Sequence, residues 1–207
     1  ALAKHHRKLG HYERAEATFV RALALDASSA LIYSDLGSFY LSRGRFLEAA
    51  DCFREMTRLA PDQAKAHQQL GQALHRLKRY ESALSTFETA LRCDPKHAPS
   101  YNSMGVMLKK IGRVEESVQS YRSAIKVDPE MKEAHNNLAN ALRDNNLTAE
   151  AEKTVEQALL LWPDYGDLYN TRGIMEQQSG KKDQAVTSYR RAIELSPTLS
   201  KAFHNLT

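Results

Sequence analysis

Apolar residues in this chain recur at steps of three and four, interrupted by short polar turns. Between residues 98 and 131, Tyr101, Met104, Gly105 and Leu108 follow one another at steps of three, one and three, which marks one face of a helix. Val114, Val118, Tyr121, Ala124 and Ile125 trace a second helix by the same logic. The turn between them is Ile111-Gly112-Arg113, where Gly112 is free to take the left-handed backbone of a tight helix exit. Pro129 closes the unit, because proline cannot continue the helical hydrogen-bond ladder. The phrase that ends there, SYRSAIKVDP at 120–129, returns as SYRRAIELSP at 188–197, with a weaker copy, TVEQALLLWP, ending at Pro163. Pro61, Pro95, Pro129, Pro163 and Pro197 stand 34 residues apart, with no insertion or deletion between any two.

The period divides the chain into full repeats at 30–63, 64–97, 98–131, 132–165 and 166–199, after a partial repeat at 1–29 and before the start of a further one at 200–207. The eighth place reads Gly37, Gly71, Gly105, Ala139, Gly173, and the twenty-fourth Phe53, Phe87, Tyr121, Val155, Tyr189. Small residues at the eighth, twentieth and twenty-seventh places let helix axes approach closely, and the bulky fourth, eleventh and twenty-fourth fill the space beside them. Lys78 and Asn146 take the place of Gly112 in two other turns. Each unit is therefore a helix hairpin that has to pack on the next.

These places, large, Leu-Gly, Tyr, Ala, Phe, Ala and Pro over 34 residues, resemble the tetratricopeptide repeat family over essentially the whole chain. The resemblance implies an all-α fold, a right-handed α-α superhelix of antiparallel helix pairs, with the first helices lining a concave groove. It implies a protein-protein interaction scaffold or adaptor and no enzymatic activity. Repeats of this kind contact only their neighbours, so exposed terminal repeats are open to self-association.

If places four, seven, eight and eleven of the first helix face the core, places two, five, nine and twelve form the neighbouring stripe, the usual ligand surface in that family. The fifth place reads Ser34, Gln68, Asn102, Asn136, Asn170, His204, an unbroken polar column. The ninth adds Ser38, Gln72 and Asn140, broken by Val106 and Ile174. Carboxamides carry a donor and an acceptor, so such a column can pair with the backbone of an extended peptide without reading its side chains. Lys109 and Arg143 at the groove edge favour acidic segments or a free carboxylate in the partner. The alternative is a column that only keeps the groove solvated, and on either reading these side chains are not expected to pack.

Asn137 before Leu138-Ala139, and Asn205 before Leu206, are similar to the Asn ladder in the superhelix of O-linked N-acetylglucosamine transferases, from which Asp35, Gln69, Ser103 and Thr171 depart. That likeness implies a second reading, the substrate-recruiting arm of a glycosyltransferase whose catalytic domain lies outside these residues. The expected binding residues are thus Gln68, Gln72, Asn102, Lys109, Asn136, Asn137, Asn140, Arg143, Asn170 and His204, with no catalytic residue, metal or cofactor.

Composition adds mainly exclusions. Among 207 residues, 42% are apolar and 26% charged, enough for a core, and the net charge of +4 is too mild to argue for nucleic acid. No window approaches 18 uncharged apolar residues, so no membrane span is expected. Two cysteines, Cys52 and Cys93, make no disulfide framework and fit a reducing compartment, which points to the cytoplasm; a membrane-bound O-mannosyltransferase carrying such repeats would place them in a lumen. His5 and His6 are adjacent and point to different faces, and His67 and His135 occupy the large-residue place as packing residues. Arg172 and Glu176 stand at core places and are expected to pair and reach water, with Lys182 polar at the start of the following helix. Trp162 is expected as a cover beside Pro163. Asn146-Leu147-Thr148 and Asn205-Leu206-Thr207 match the glycosylation sequon, a pattern short enough to arise by chance.

Overall fold

A computed structural model describes Leu2, Ala3, His6 and residues 9–206; His5 and Thr207 lie outside the described residues. Twelve helices follow one another, and no strand occurs among the described residues. In chain order they are α1 (Tyr12–Leu25), α2 (Ala30–Ser42), α3 (Phe46–Leu59), α4 (Ala64–Arg76), α5 (Tyr80–Cys93), α6 (Ala98–Lys110), α7 (Val114–Val127), α8 (Lys132–Asp144), α9 (Thr148–Leu161), α10 (Gly166–Gln178), α11 (Lys182–Leu195) and α12 (Ser200–Leu206). The all-α class expected from the sequence holds. None of these helices is long and apolar enough to cross a membrane. The chain forms two compact units, Ala1–Met107 and Leu108–Thr207, and the division falls inside α6.

Helices of 13 or 14 residues are marginal in isolation, so packing must hold them. The second helices start after Arg45, Arg79, Arg113, Leu147 and Lys181, and none of these residues caps its helix with a side-chain hydrogen bond. In the first unit α2 packs on α3, α3 on α4 and α4 on α5; in the second α7 packs on α8, α8 on α9 and α10 on α11. Three of the hairpins close where a glycine of the first helix meets a ring of the second. A Cβ placed on Gly37 would stand 2.6 Å from the Phe53 ring, one on Gly71 2.5 Å from Phe87, and one on Gly173 2.6 Å from Tyr189. Phe53, Phe87 and Tyr189 are fully buried by that approach, as are the alanines beside them at 49, 83 and 185. In the fourth repeat the same two places hold Ala139 and Val155, with the volume shifted from ring to methyl, and both are buried.

The turns behave as their residues require. Gly44, Gly112 and Gly180 have φ of +74°, +83° and +77°, and Lys78 and Asn146 adopt φ of +59° in the same place. An N–H reaching back five residues, from Arg79 to the Leu74 carbonyl and from Leu147 to the Leu142 carbonyl, both at 2.9 Å, pulls each chain into the reversal.

His67 and His135 do more than fill space. Their Nε2 atoms lie 2.7 Å and 2.9 Å from the carbonyl oxygens of Pro61 and Pro129, so each ties its first helix to the corner before it. Trp162 covers the second corner, its ring edge-on to His135 at 5.1 Å between centroids. Cys52 is buried, and desolvation first, then Asp51 and Glu48, push its thiol up to about 11, which disfavours the nucleophilic thiolate.

Adding a methyl at Gly173 should destabilise the second unit by about 1–3 kcal/mol, the usual cost of overpacking a filled site. Val155→Phe should do the same alone and much less beside Ala139→Gly, where the ring recovers its groove. Urea unfolding of the two single variants and the double tests this, and additive losses would refute the volume exchange.

Candidate functional site: the polar face of the first helices

Within each unit the polar column of the first helices is bound into a ladder that steps from one repeat to the next. In the first unit Ser34 Oγ donates to Gln69 Oε1 at 3.0 Å, and Gln69 Nε2 donates to Ser38 Oγ at 3.2 Å. One repeat later Gln68 and Gln72 both donate through Nε2 to Ser103 Oγ, at 3.1 Å and 3.4 Å. In the second unit Thr171 Oγ1 donates to Asn136 Oδ1 at 2.7 Å and accepts from Asn140 Nδ2 at 3.0 Å. Asn140 Nδ2 also donates to the Asn136 carbonyl at 2.9 Å. Asn205 Nδ2 then donates to Asn170 Oδ1 at 3.0 Å. The rule is one of register: the fifth and ninth places of one repeat meet the sixth place of the next.

This corrects the expectation that the column does not pack. Gln68 and Asn170 are 7% and 8% exposed, Ser34 is buried with them, and Thr171 is only 2% exposed. Asn102, Asn136, Asn137 and Asn140 are half-buried, whereas Gln72 and His204 are exposed. Helix axes that small residues allow to approach closely leave the polar stripe of one first helix against that of its neighbour, and buried amides must then find partners. The ladder partners not expected from the sequence, Gln69, Ser103 and Thr171, were legible as polar side chains 31 or 35 positions from residues at the fifth and ninth places.

The basic edge is also spoken for. Lys109 Nζ lies 2.8 Å from Asp144 Oδ2, and Arg143 reaches Asp144 Oδ1 through Nη2 at 2.7 Å and Nε at 3.1 Å. Burial would raise the Asp144 carboxyl, but hydrogen bonds from Lys109 and Arg143 overcome it and hold the group below its usual range. Two of the bases expected to attract an acidic partner thus share one carboxylate. Arg172 and Glu176 form a second closed set. Arg172 Nε donates to Ser188 Oγ at 3.0 Å, Ser188 Oγ donates to Glu176 Oε2 at 2.6 Å, and the guanidinium stacks on Tyr169 at 4.8 Å. The Arg172 side chain is 37% exposed and Glu176 18%, so the pair reaches water as expected. Among the described residues, no three His, Cys, Asp or Glu side chains are placed to hold a metal ion.

A tandem array of helix hairpins of one period, three of them closed by a glycine-to-ring contact, defines a helical-repeat protein. Models described as tetratricopeptide repeat match residues 1–64, 40–98 and 138–200, a further one matches 86–119, and a TPR-repeat model matches 105–146. The chain belongs to the tetratricopeptide repeat family, whose repeats mediate protein interactions. A tetratricopeptide repeat protein from Parabacteroides merdae ATCC 43184 superposes with a TM-score of 0.81 at 18% identity, covering 99% of this chain and 80% of that one. A chain of the APC/C hetero-tetramer Cut9-Hcn1 gives 0.81 at 14% identity, covering 99% of this chain and 40% of its own. YrrB, described as a TPR protein with an unusual peptide-binding site, gives 0.62 at 19% identity over 90% of this chain and 96% of that one. At these identities the likeness is one of fold. No curated protein matches the sequence.

Thr171→Val keeps the side-chain shape and removes the hydroxyl between Asn136 and Asn140, which should cost about 1–3 kcal/mol for polar groups left unpaired. Thr171→Ser should retain most of the stability in urea unfolding; equal losses would show that the methyl and not the hydroxyl matters. Asp144 yields a pH prediction of definite sign. Because its folded value is depressed, its stabilisation is present above the unfolded value of about 3.9 and is lost as pH falls through the folded value. Asp144→Asn should therefore unfold at lower temperature than the parent at pH 7, and the gap should close below about pH 4. A gap that is constant with pH would contradict the ion-pair assignment.

Proposed function

We propose that this protein-interaction scaffold holds an extended segment of a partner along the polar face of its first helices, as a single array of repeats with no catalytic role of its own. The observation that carries the reading is what the ladder leaves over. Asn136 engages through Oδ1 and Asn170 through Oδ1, while Asn140 engages through Nδ2 and Gln68 through Nε2. Among the described residues, Asn136 Nδ2, Asn140 Oδ1, Gln68 Oε1 and Asn170 Nδ2 have no protein partner, and none of the four is a buried unsatisfied atom. Donors and acceptors held in fixed orientation suit the alternating N–H and C=O groups of an extended backbone, with little side-chain entropy left to lose on binding.

Of the expected groove residues, Gln68, Gln72, Asn102, Asn136, Asn137, Asn140 and Asn170 belong to this backbone-reading set. Lys109, Arg143 and His204 flank it, and the share of Lys109 and Arg143 in Asp144 weakens any preference for acidic segments. YrrB offers a parallel only in that it, too, is a repeat protein described with a peptide-binding site. The second reading, a substrate-recruiting arm of a glycosyltransferase, rests on the likeness at Asn137 and Asn205 and would use the same face.

Photo-cross-linking side chains placed singly at Gln72 and Asn140 should trap a partner. The same groups at Glu88 and Lys153, exposed on second helices, should not. Adducts formed only from the second helices would move the interaction off this face and end the proposal.

A further inference from the structure

The asparagines of the two sequons are in opposite circumstances. Asn205 is half-buried on α12, with its side-chain nitrogen committed to Asn170 Oδ1 at 3.0 Å; Thr207, the third residue of that sequon, lies outside the described residues. Asn146 is exposed in the turn between α8 and α9. Its backbone does the structural work of that turn, with φ of +59° and its N–H donated to the Arg143 carbonyl at 3.0 Å. Its side chain makes no hydrogen bond among the described residues. Lys78 and three glycines serve the equivalent turns, so no carboxamide is needed to make the reversal. Leu147 is 43% exposed, and Thr148, the first residue of α9, is exposed as well. The whole tripeptide is thus presented to solvent at a hairpin tip.

The geometry points to Asn146 as an acceptor for an N-linked oligosaccharide. The donor class is an oligosaccharide carried on a lipid diphosphate. The Asn146 Nδ2 bonds to the anomeric carbon of the first sugar, the bond from that carbon to the diphosphate oxygen breaks, and the lipid diphosphate leaves with the electron pair. The amide proton passes to a base of the transferase. Nothing in the fold opposes the product, since Nδ2 gives up no contact and the turn residue keeps its backbone bonds. On Asn205 the same transfer would crowd the ladder bond to Asn170. Asn146 lies two residues beyond Asp144, the last residue of α8, which at a rise of 1.5 Å per residue stands about 6 Å along the axis from Asn140 and about 12 Å from Asn136, so the glycan would sit at that end of the polar face. Modification there also places these residues in a secretory lumen, against the cytoplasmic placement suggested by the cysteines. The interaction proposal does not depend on the compartment.

The test is expression of the chain behind a secretory leader in human cells, with total cellular and secreted protein treated with an N-glycan-removing amidase. One glycan is expected on the parent, lost in Asn146→Gln and in Thr148→Ala and retained in Thr148→Ser and Asn205→Gln. Amidase release should convert Asn146 to Asp by mass, and the glycosylated and released proteins should unfold at the same temperature. A parent without glycan, a glycan on Asn205, or a glycosylated form that unfolds earlier would overturn the assignment.

Discussion

The close approach of a glycine on one helix to an aromatic ring on the next is the contact on which the other features rest. With Phe53, Phe87 and Tyr189 pressed onto Gly37, Gly71 and Gly173, each hairpin is locked at a separation no Cβ would permit. Packing at that density fixes side chains as well as axes. It accounts for Val155 at the ring place of the repeat that holds Ala139 at the glycine place, since a methyl there leaves less room for a ring. It also explains why the second helices need no side-chain N-caps. Their ends are held by the five-residue turn bonds and by the buried stripe behind them.

Once the hairpins are fixed, the polar stripe of one first helix is brought against the stripe of the following one within each unit, and the fifth and ninth places have to meet the sixth. Hydroxyls and carboxamides suit that seam because a hydroxyl can accept and donate at once, as Thr171 does between Asn140 and Asn136. The same step of 35 residues that joins Asn136 to Thr171 joins Lys109 to Asp144. A ladder of this kind orients half of each carboxamide for packing and leaves the other half open to the ligand we propose. On that proposal stability and recognition are two uses of the same side chains, so changes on this face have to be read against folding before they are read as binding.

Much of this was legible in the letters. Pro61 to Pro197 gave the period, Gly37 and Phe53 with their counterparts gave the packing, and Gly112 gave the turn. Lys78 was the harder turn residue, since its left-handed backbone is set by the hairpin around it and not by its own preference. What escaped was contact between repeats. Counting places within one repeat puts Asn136 beside Asn140 but says nothing of Thr171, because the neighbour depends on how far one hairpin is displaced on the next. For the same reason Lys109 read as a free base until Asp144 was found beside it. His67 and His135 were placed correctly as packing residues, but their bonds to proline carbonyls depend on the corner geometry, which no periodicity encodes.

The most direct measurement is hydrogen exchange of side-chain carboxamides by NMR, with Asn136 and Asn140 assigned. Asn140 Nδ2 donates to two acceptors, the Asn136 carbonyl and Thr171 Oγ1, whereas Asn136 engages through its oxygen alone. The account predicts slow exchange at Asn140 and fast exchange at Asn136, in the absence of any ligand. Equally fast exchange at both would mean that no ladder orients this face, and the reading of its leftover donors and acceptors as a peptide-binding surface would go with it.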